Sequence, residues 1–326
     1  MTPILRPKAL RRGDVVAVVA ASGGLEKDEA PLFERGVEQI ERLGFEVRLS
    51  PLVDLDRSWW WAAAPPIETA EELNRHLRDP QVRAIFALTG GRIALTYLDL
   101  LDVEAVRADA KPVLGFSDIS ALLLALHART GLVALHADLV TFGFGEWGEQ
   151  DDDRHVQLAD LYSRLLTEDE PLGVLPPSRP WETWRPGRAE GPLLGGMLNR
   201  LVRVQATSSA LAPERFDGAI LFLEEAFTST SVVWNDLHVL RQAGVLDRIS
   251  GLVVGRPFEV ETTTPGPESF RDLVLEVVGE RDIPVLGDVD VGHAGPNLPM
   301  PLGIRVAIDA DAASMALLEP VVTAAG

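Results

Sequence analysis

Along this chain, unbroken apolar runs alternate with stretches whose apolar residues recur every three or four positions. Val15 to Ala21 holds only Val and Ala, the pattern of a strand buried on both faces of a parallel sheet. Phe33, Val37 and Ile40 then recur at helical spacing, and Gly44 supplies a stop before a second strand, Phe45 to Leu49. Thr69 opens another helix through Leu77, Glu72 completing a capping box, and Asp79-Pro80 ends it. Ala84 to Leu88 and the short run ending at Gly115 read as strands, and Ala121 to Ala128 as a helix. Strand and helix in alternation predict an α/β layer around a mainly parallel sheet.

The pattern changes over residues 165 to 192. Pro171, Pro176, Pro177, Pro180, Pro186 and Pro192 interrupt regular structure there and predict a linker. Beyond it, Ala219 to Leu223, Leu252 to Val254, Pro284 to Asp290, Gly303 to Ile308 and Met315 to Leu318 read as strands. Helices are predicted over Val232 to Ala243 and along the face Phe270, Leu273, Val274, Val277 and Val278. The expected organisation is an α/β domain in 1–165, a Pro-rich linker in 166–190 and a strand-rich α+β domain in 191–326.

Composition narrows the functional classes. The length of 326 residues suits one large or two medium domains. A net charge of −19 leaves no basic surplus for nucleic acid or for an anionic membrane surface. The absence of cysteine excludes disulfides, thiolate metal sites and a cysteine nucleophile. Six scattered histidines form no H-E-x-x-H or His-x-x-x-His pair, so no metal is expected. Arg11-Arg12 before Val15 to Ala21 has the look of a secretion signal, but Gly13-Asp14 interrupts it. A cytoplasmic location is the expectation.

Chemistry concentrates where apolar elements end. Lys111 to Ser120 places Ser117 at a strand-to-helix junction, beside unpaired helix N–H groups that stabilise developing negative charge. Two readings of Ser117 stand side by side: a nucleophile on a sharp turn, or an N-cap of the following helix. Thr89-Gly90-Gly91-Arg92 ends another strand, and its double glycine lets backbone approach a ligand. Glu224 closes an apolar strand and His293 sits in a glycine-flanked loop. A hydroxyl, an imidazole and a carboxylate are the three parts of an acyl-transfer triad, provided the two halves bring them together. Trp181 and Trp184, within the Pro-rich stretch, either line a ligand site or dock that stretch onto the body.

Several segments together resemble the LD-carboxypeptidase family, which includes the microcin C self-immunity peptidases. They are Gly13-Asp14-Val15-Val16, Gly90-Gly91 with Tyr97-Leu98-Asp99, Pro112 to Leu122, Thr130 to Val133 with His136, and Gly191 to Leu198. Ile220 to Glu225, Gly244 to Asp247, Gly251 to Gly255, Gly292-His293 and Pro301-Leu302-Gly303 complete the set. The resemblance implies a site in a cleft between the two domains, with Ser117 as nucleophile, Glu224 as carboxylate and His293 as base. It implies an oxyanion hole from the backbone N–H of Asp118 and of the Gly90-Gly91 turn. It also implies a cytoplasmic homodimer without metal or organic cofactor.

Departures from the family pattern fall around the implied cleft. Met197 stands where an asparagine is usual, Ala206 where a glycine is usual, and Arg92 where many relatives carry Tyr or Asn. The resemblance implies hydrolysis of an amide near the carboxyl end of a small peptide such as a murein tetrapeptide. The alternative is a peptidyl-nucleotide, whose base Trp181, Trp184 or both would stack upon, with Arg92 nearby. Two readings from other classes remain: a non-catalytic small-ligand binder using the same cleft, and a nucleotide-dependent oxidoreductase. Ser22-Gly23-Gly24 lacks the G-x-G-x-x-G spacing that the last requires.

Overall fold

The structure is a computed structural model that describes residues 3–325. The first half runs β1 (Val15–Val19), α1 (Ala30–Arg42), β2 (Glu46–Leu49), α2 (Pro66–Arg78), β3 (Val82–Ala87) and α3 (Val103–Ala108). It continues with β4 (Val113–Gly115), α4 (Ile119–Thr130), β5 (Leu135–His136) and α5 (Asp152–Thr167). The second half opens with β6 (Gly173–Val174), β7 (Glu182–Arg185), β8 (Arg188–Met197), α6 (Leu198–Val204), β9 (Ile220–Glu224) and β10 (Ala226–Ser229). Then follow α7 (Thr230–Gln242), α8 (Val245–Arg248), β11 (Gly251–Gly255), β12 (Phe258–Glu261), α9 (Phe270–Val278) and β13 (Val285–Val289). The chain closes with β14 (Met300–Pro301), β15 (Arg305–Asp309) and β16 (Ser314–Leu317).

The first sheet has the order β14-β5-β4-β3-β1-β2, parallel except for β14. The strand order reverses between β1 and β3, and in open parallel sheets a crevice forms at the carboxyl ends beside that reversal. Ser22-Gly23-Gly24 after β1 and Thr89-Gly90-Gly91 after β3 lie at that edge, and Ser117 follows the neighbouring β4. The second sheet, β6-β16-β15-β8-β9-β11-β13-β7, is parallel from β8 through β13 and antiparallel at both flanks. The mainly parallel first sheet and the strand-rich second unit match the sequence expectation.

The helix that follows Ser117 is apolar on every side, which a helix tolerates only when covered all round. Residues 119–127 of α4 are buried without exception. The helix packs on β4 and β5 of the first sheet and on β8 and α6 of the second half. Gly131, at φ 79°, ends it in the left-handed conformation that glycine adopts without steric cost. The two halves are also tied by β14, which leaves the second half to pair Met300 with His136 of β5.

Residues 166–190 are not a free linker. They carry β6, β7 and the first residues of β8, and β6 and β7 are the two edge strands of the second sheet. Pro171, Pro176, Pro177, Pro180 and Pro186 all fall in the connections before and after β6 and β7, so the short strands between them keep every backbone N–H. The start of α2 also differs from expectation: Pro65 and Pro66 begin the helix, and Thr69 lies inside it. Proline at the first helical position fits because its absent N–H would have had no partner there.

Candidate active site

The backbone of Ser117 speaks against the N-cap reading. Its φ is +61°, in the left-handed region that residues with a Cβ rarely occupy. Asp118, not Ser117, is the N-cap of α4, and it makes no side-chain cap bond. The turn therefore presents the serine hydroxyl at the carboxyl edge of the sheet. Gly90 lies directly beneath it: a Cβ at that position would come within 2.8 Å of Ser117 Oγ. Only glycine leaves the hydroxyl its room.

Three donors hold the turn through the Asp118 carboxylate. Ser22 Oγ–H donates to Oδ2 at 2.7 Å, Ala94 N–H donates to the same oxygen at 2.8 Å, and Arg200 Nε–H of α6 donates to Oδ1. The side chain of Asp118 thus points into the protein, while its backbone N–H stands at the helix N-terminus. None of the described residues accepts a hydrogen bond from the N–H of Asp118, Gly90 or Gly91. Unpaired N–H groups at a helix N-terminus are the kind of donor that stabilises negative charge.

Glu224, the last residue of β9, is fully buried, and its Oε2 accepts from His293 Nδ1–H at 2.8 Å. Gly292 makes this approach possible, because a Cβ there would sit 2.7 Å from that oxygen. The imidazole is flanked edge-on by Phe116 at 4.9 Å and Phe227 at 5.5 Å between ring centres. Burial alone drives the Glu224 carboxyl upward, but the His293 charge and N–H, with His136 nearby, overturn this and bring it down to about 2. Burial likewise depresses His293, and the Glu224 charge outweighs it, leaving the imidazole above its ordinary value. His136 Nε2 stands 3.9 Å from Glu224 Oε1, beyond hydrogen-bond reach.

The neighbouring Glu225 has a different task. It accepts from Asn199 N–H at 3.0 Å and from Asn199 Nδ2–H at 2.8 Å, fixing the start of α6. Burial first, and then the Glu224 charge, push it up to about 7. Two adjacent carboxyl groups are thereby set apart: one ionised at any working pH, the other titrating near neutrality.

Ser117 and His293 face a single cavity of about 830 Å³, lined from both halves of the chain. Gly90 and Gly91 contribute from the first half, Phe227, Phe258 and Asn297 from the second. Ser117 Oγ makes no hydrogen bond to the imidazole or to any other described residue. Such contacts are often loose before substrate arrives.

Other residues singled out in the sequence fall elsewhere. Trp181 is buried and donates from Nε1 to Asp290 Oδ2 at 3.1 Å. Trp184, also buried, covers Gly287 of β13 and donates to Glu182 Oε2 at 2.9 Å. Neither lines the cavity, because the strand β7 that holds Trp184 pairs with β13 and draws both rings against the second sheet. Arg92 is exposed and does not line the cavity. Met197 is buried in register with Glu224, also outside the lining, and Ala206 follows α6 away from it.

The tryptophans at the cavity are Trp60 and Trp61, 74% and 61% exposed, with Trp60 stacked on Trp59 at 4.2 Å. The sequence reading passed over them, although three consecutive tryptophans in a chain with seven were a visible signal. No group of three or more metal-ligating side chains occurs among the described residues. No helix among them is long and apolar enough to cross a membrane.

Comparison with known proteins agrees with this layout. Residues 16–137 match the model of the LD-carboxypeptidase N-terminal domain, and residues 190–308 that of the LD-carboxypeptidase C-terminal domain. The chain is 30% identical over 318 residues to a Bacillus subtilis protein named "Probable murein peptide carboxypeptidase", covering 93% of this chain and 91% of the relative. It is 27% identical over 327 residues to the microcin C7 self-immunity protein MccF of Escherichia coli, covering 94% of each. A solved structure of MccF in complex with aspartyl sulfamoyl adenosine superposes with a TM-score of 0.86 at 26% identity, covering 98% of this chain and 100% of that one. With both halves matched in order and nearly end to end, the chain belongs to the LD-carboxypeptidase family of peptidases.

Proposed function

We propose that this protein is a serine peptidase that hydrolyses the amide nearest the carboxyl end of a small peptide, with Ser117, His293 and Glu224 as its triad. The observation that carries the reading is Ser117, held at positive φ above Gly90, in the same cavity as an imidazole already bonded to a buried carboxylate. A cavity walled by both halves suits a short peptide end rather than a folded protein.

In this reading each step falls to a named group. Ser117 Oγ attacks the amide carbonyl as its proton passes to His293 Nε2, and the carbonyl oxygen becomes an oxyanion. The N–H groups of Asp118 and of the Gly90-Gly91 turn receive that charge, each such donor stabilising the transition state by about 3 kcal/mol. Collapse breaks the C–N bond while Nε2 returns the proton to the departing amine, leaving an ester on Ser117. Water then gives a proton to Nε2 as it attacks the ester carbonyl, and collapse breaks the C–Oγ bond while Nε2 returns that proton to Ser117 Oγ, releasing the new acid. Glu224 remains a carboxylate throughout; it fixes the Nδ1–H tautomer and stabilises the imidazolium.

For the substrate, murein-type tetrapeptide is the first reading, in keeping with the relative named as a murein peptide carboxypeptidase. The exposed Trp60 and Trp61 at the cavity favour a second, a peptidyl group bearing a planar base, as in the ligand named in the MccF complex. A mass-spectrometric assay offering murein tetrapeptide and a peptidyl-nucleotide side by side separates them. Loss of product with Ser117→Ala supports the serine mechanism, and turnover at the wild-type rate by that variant would sink it. Covalent labelling of Ser117 by a fluorophosphonate distinguishes a peptidase from a protein that only binds ligands in this cavity.

A further inference from the structure

One buried carboxylate lies outside the triad yet is bonded to the loop that carries the imidazole. Asp138, just beyond β5 of the first half, is 1% exposed. Its Oδ1 accepts from the backbone N–H of Asn297 at 2.7 Å and from Asn297 Nδ2–H at 3.0 Å. Its Oδ2 accepts from Trp147 Nε1–H at 2.7 Å. Asn297 in turn accepts at Oδ1 from the N–H of Gly292, the residue before His293. Tyr162 of α5 braces the same joint: its OH accepts from Asp138 N–H at 2.9 Å and donates to the Asn297 carbonyl at 3.0 Å. The far end of the loop is closed by Leu298 N–H donating to the Asp290 carbonyl at 2.9 Å.

We infer that Asp138, acting through Asn297, is a positioning residue for His293, fixing the 291–298 loop so that the imidazole stays between Glu224 and the cavity. The inference rests on the reading of His293 as the general base. Its physical content is a matching of donors to acceptors. A carboxylate offers only acceptors, and all three side-chain contacts of Asp138 are N–H donors. A proton on it would stand against those donors with no acceptor to take it, and the loop would lose its anchor. Gly143 shows how tightly this carboxylate is seated, since a Cβ there would fall 2.4 Å from Asp138 Cβ.

The arrangement gives activity a second proton to lose. Burial raises the Asp138 carboxyl to about 7, against the pull of Trp147 and Asn297, while Glu146 adds repulsion. Arg154 and Tyr162 of α5 are the other titratable groups that face it. Both His293 and Asp138 must therefore be unprotonated in the active form, and the acid limb of kcat/KM should be steeper than a single ionisation gives.

The test uses Asp138→Asn and Asn297→Ala, the second removing the link from the loop side while leaving the carboxylate intact. Each is compared with wild type by thermal unfolding, by NMR of ¹⁵N-labelled histidine and by steady-state kinetics. In both variants the His293 Nδ1–H resonance, assigned by its loss in His293→Gln, should broaden or vanish. The His293 titration midpoint should also fall as its contact with Glu224 loosens. In turnover, kcat should drop by about 10–100-fold at nearly constant KM, and the acid limb of Asp138→Asn should flatten to one proton. Folded variants whose His293 resonance, titration and kcat all match wild type would overturn the inference, whatever happens to their melting temperature. Should Asp138→Asn fail to fold, Asn297→Ala decides by the same readouts. The NMR measurements need no turnover, so a wild-type protein inactive on every peptide offered would count against the peptidase reading while this inference is judged separately.

Discussion

At the scale of single residues, Ser117 trades stability for a hydroxyl at the cavity wall. A residue with a Cβ at φ +61° bears a local cost that glycine would not. Ser117→Gly should stabilise the fold by about 0.5–1 kcal/mol in urea unfolding while abolishing turnover. Ser117→Ala keeps the Cβ, so it should lose about 10⁴–10⁶-fold in kcat with its unfolding midpoint unchanged. A Ser117→Gly protein that is less stable than Ser117→Ala would show that the turn is not strained. Gly90→Ala probes the same spot from below. Its new methyl would meet Ser117 Oγ at 2.8 Å, and displacing that oxygen should cost about 100-fold in kcat with the fold intact. An unaffected rate would mean that the hydroxyl reacts from another position.

At the scale of elements, the junction between α4 and α6 carries the contact that keeps the nucleophile turn in place. Arg200 and Asp118 are both nearly inaccessible, and Arg200 also reaches the Gly91 carbonyl at 3.3 Å. Breaking a buried ion pair from one side leaves an uncompensated charge, so Arg200→Ala should destabilise by about 3–5 kcal/mol. It should slow turnover as well, because Gly91 loses its brace. Stability within 1 kcal/mol of wild type in denaturant titration would contradict this. Elements of this kind were legible in the sequence to different degrees. β1, β3, β9 and β11 announce themselves as apolar runs, and α9 by its one-sided spacing, because burial dictates their composition directly. The edge strands β6 and β7 were hidden by the prolines that flank them, and the start of α2 by a Pro-Pro pair that reads equally as a stop. α5 gave an acidic first turn and an Asp151 cap, a signal present but not used. For the site, Ser117, Glu224 and His293 were legible as candidates because short segments around them are distinctive. Asp138 was not, since its partner lies 159 residues away and nothing local marks it.

At the scale of the whole molecule, the perturbed groups set where along the pH axis the fold is strongest. Glu224 is depressed to about 2 and His127 to about 4, so their contributions are present above the unfolded values and lost as pH falls. Asp138 and Glu225 are both raised to about 7, and His293 is raised as well. Their contributions are present below the unfolded values and are lost as pH climbs through the folded ones. Between the ordinary carboxyl and histidine ranges, His127 pulls stability up with pH while two carboxyl groups pull it down. The formal charge of −19 adds self-repulsion in the same downward direction as the remaining acids ionise. The balance places the maximum on the acid side of neutrality, near about pH 5. Melting temperature measured across the acid-to-alkaline range should therefore decline from that maximum toward alkaline pH. The double variant Asp138→Asn, Glu225→Gln should flatten the decline through neutrality, because it removes the two carboxyl groups responsible. A melting temperature that stays level or rises from pH 5 to 8 in the wild type would show that these carboxyls do not hold their protons in the folded state. Where the decline is found, acid stability and the acid limb of activity oppose each other: the protonated Asp138 that suits the fold is the form that releases the histidine loop.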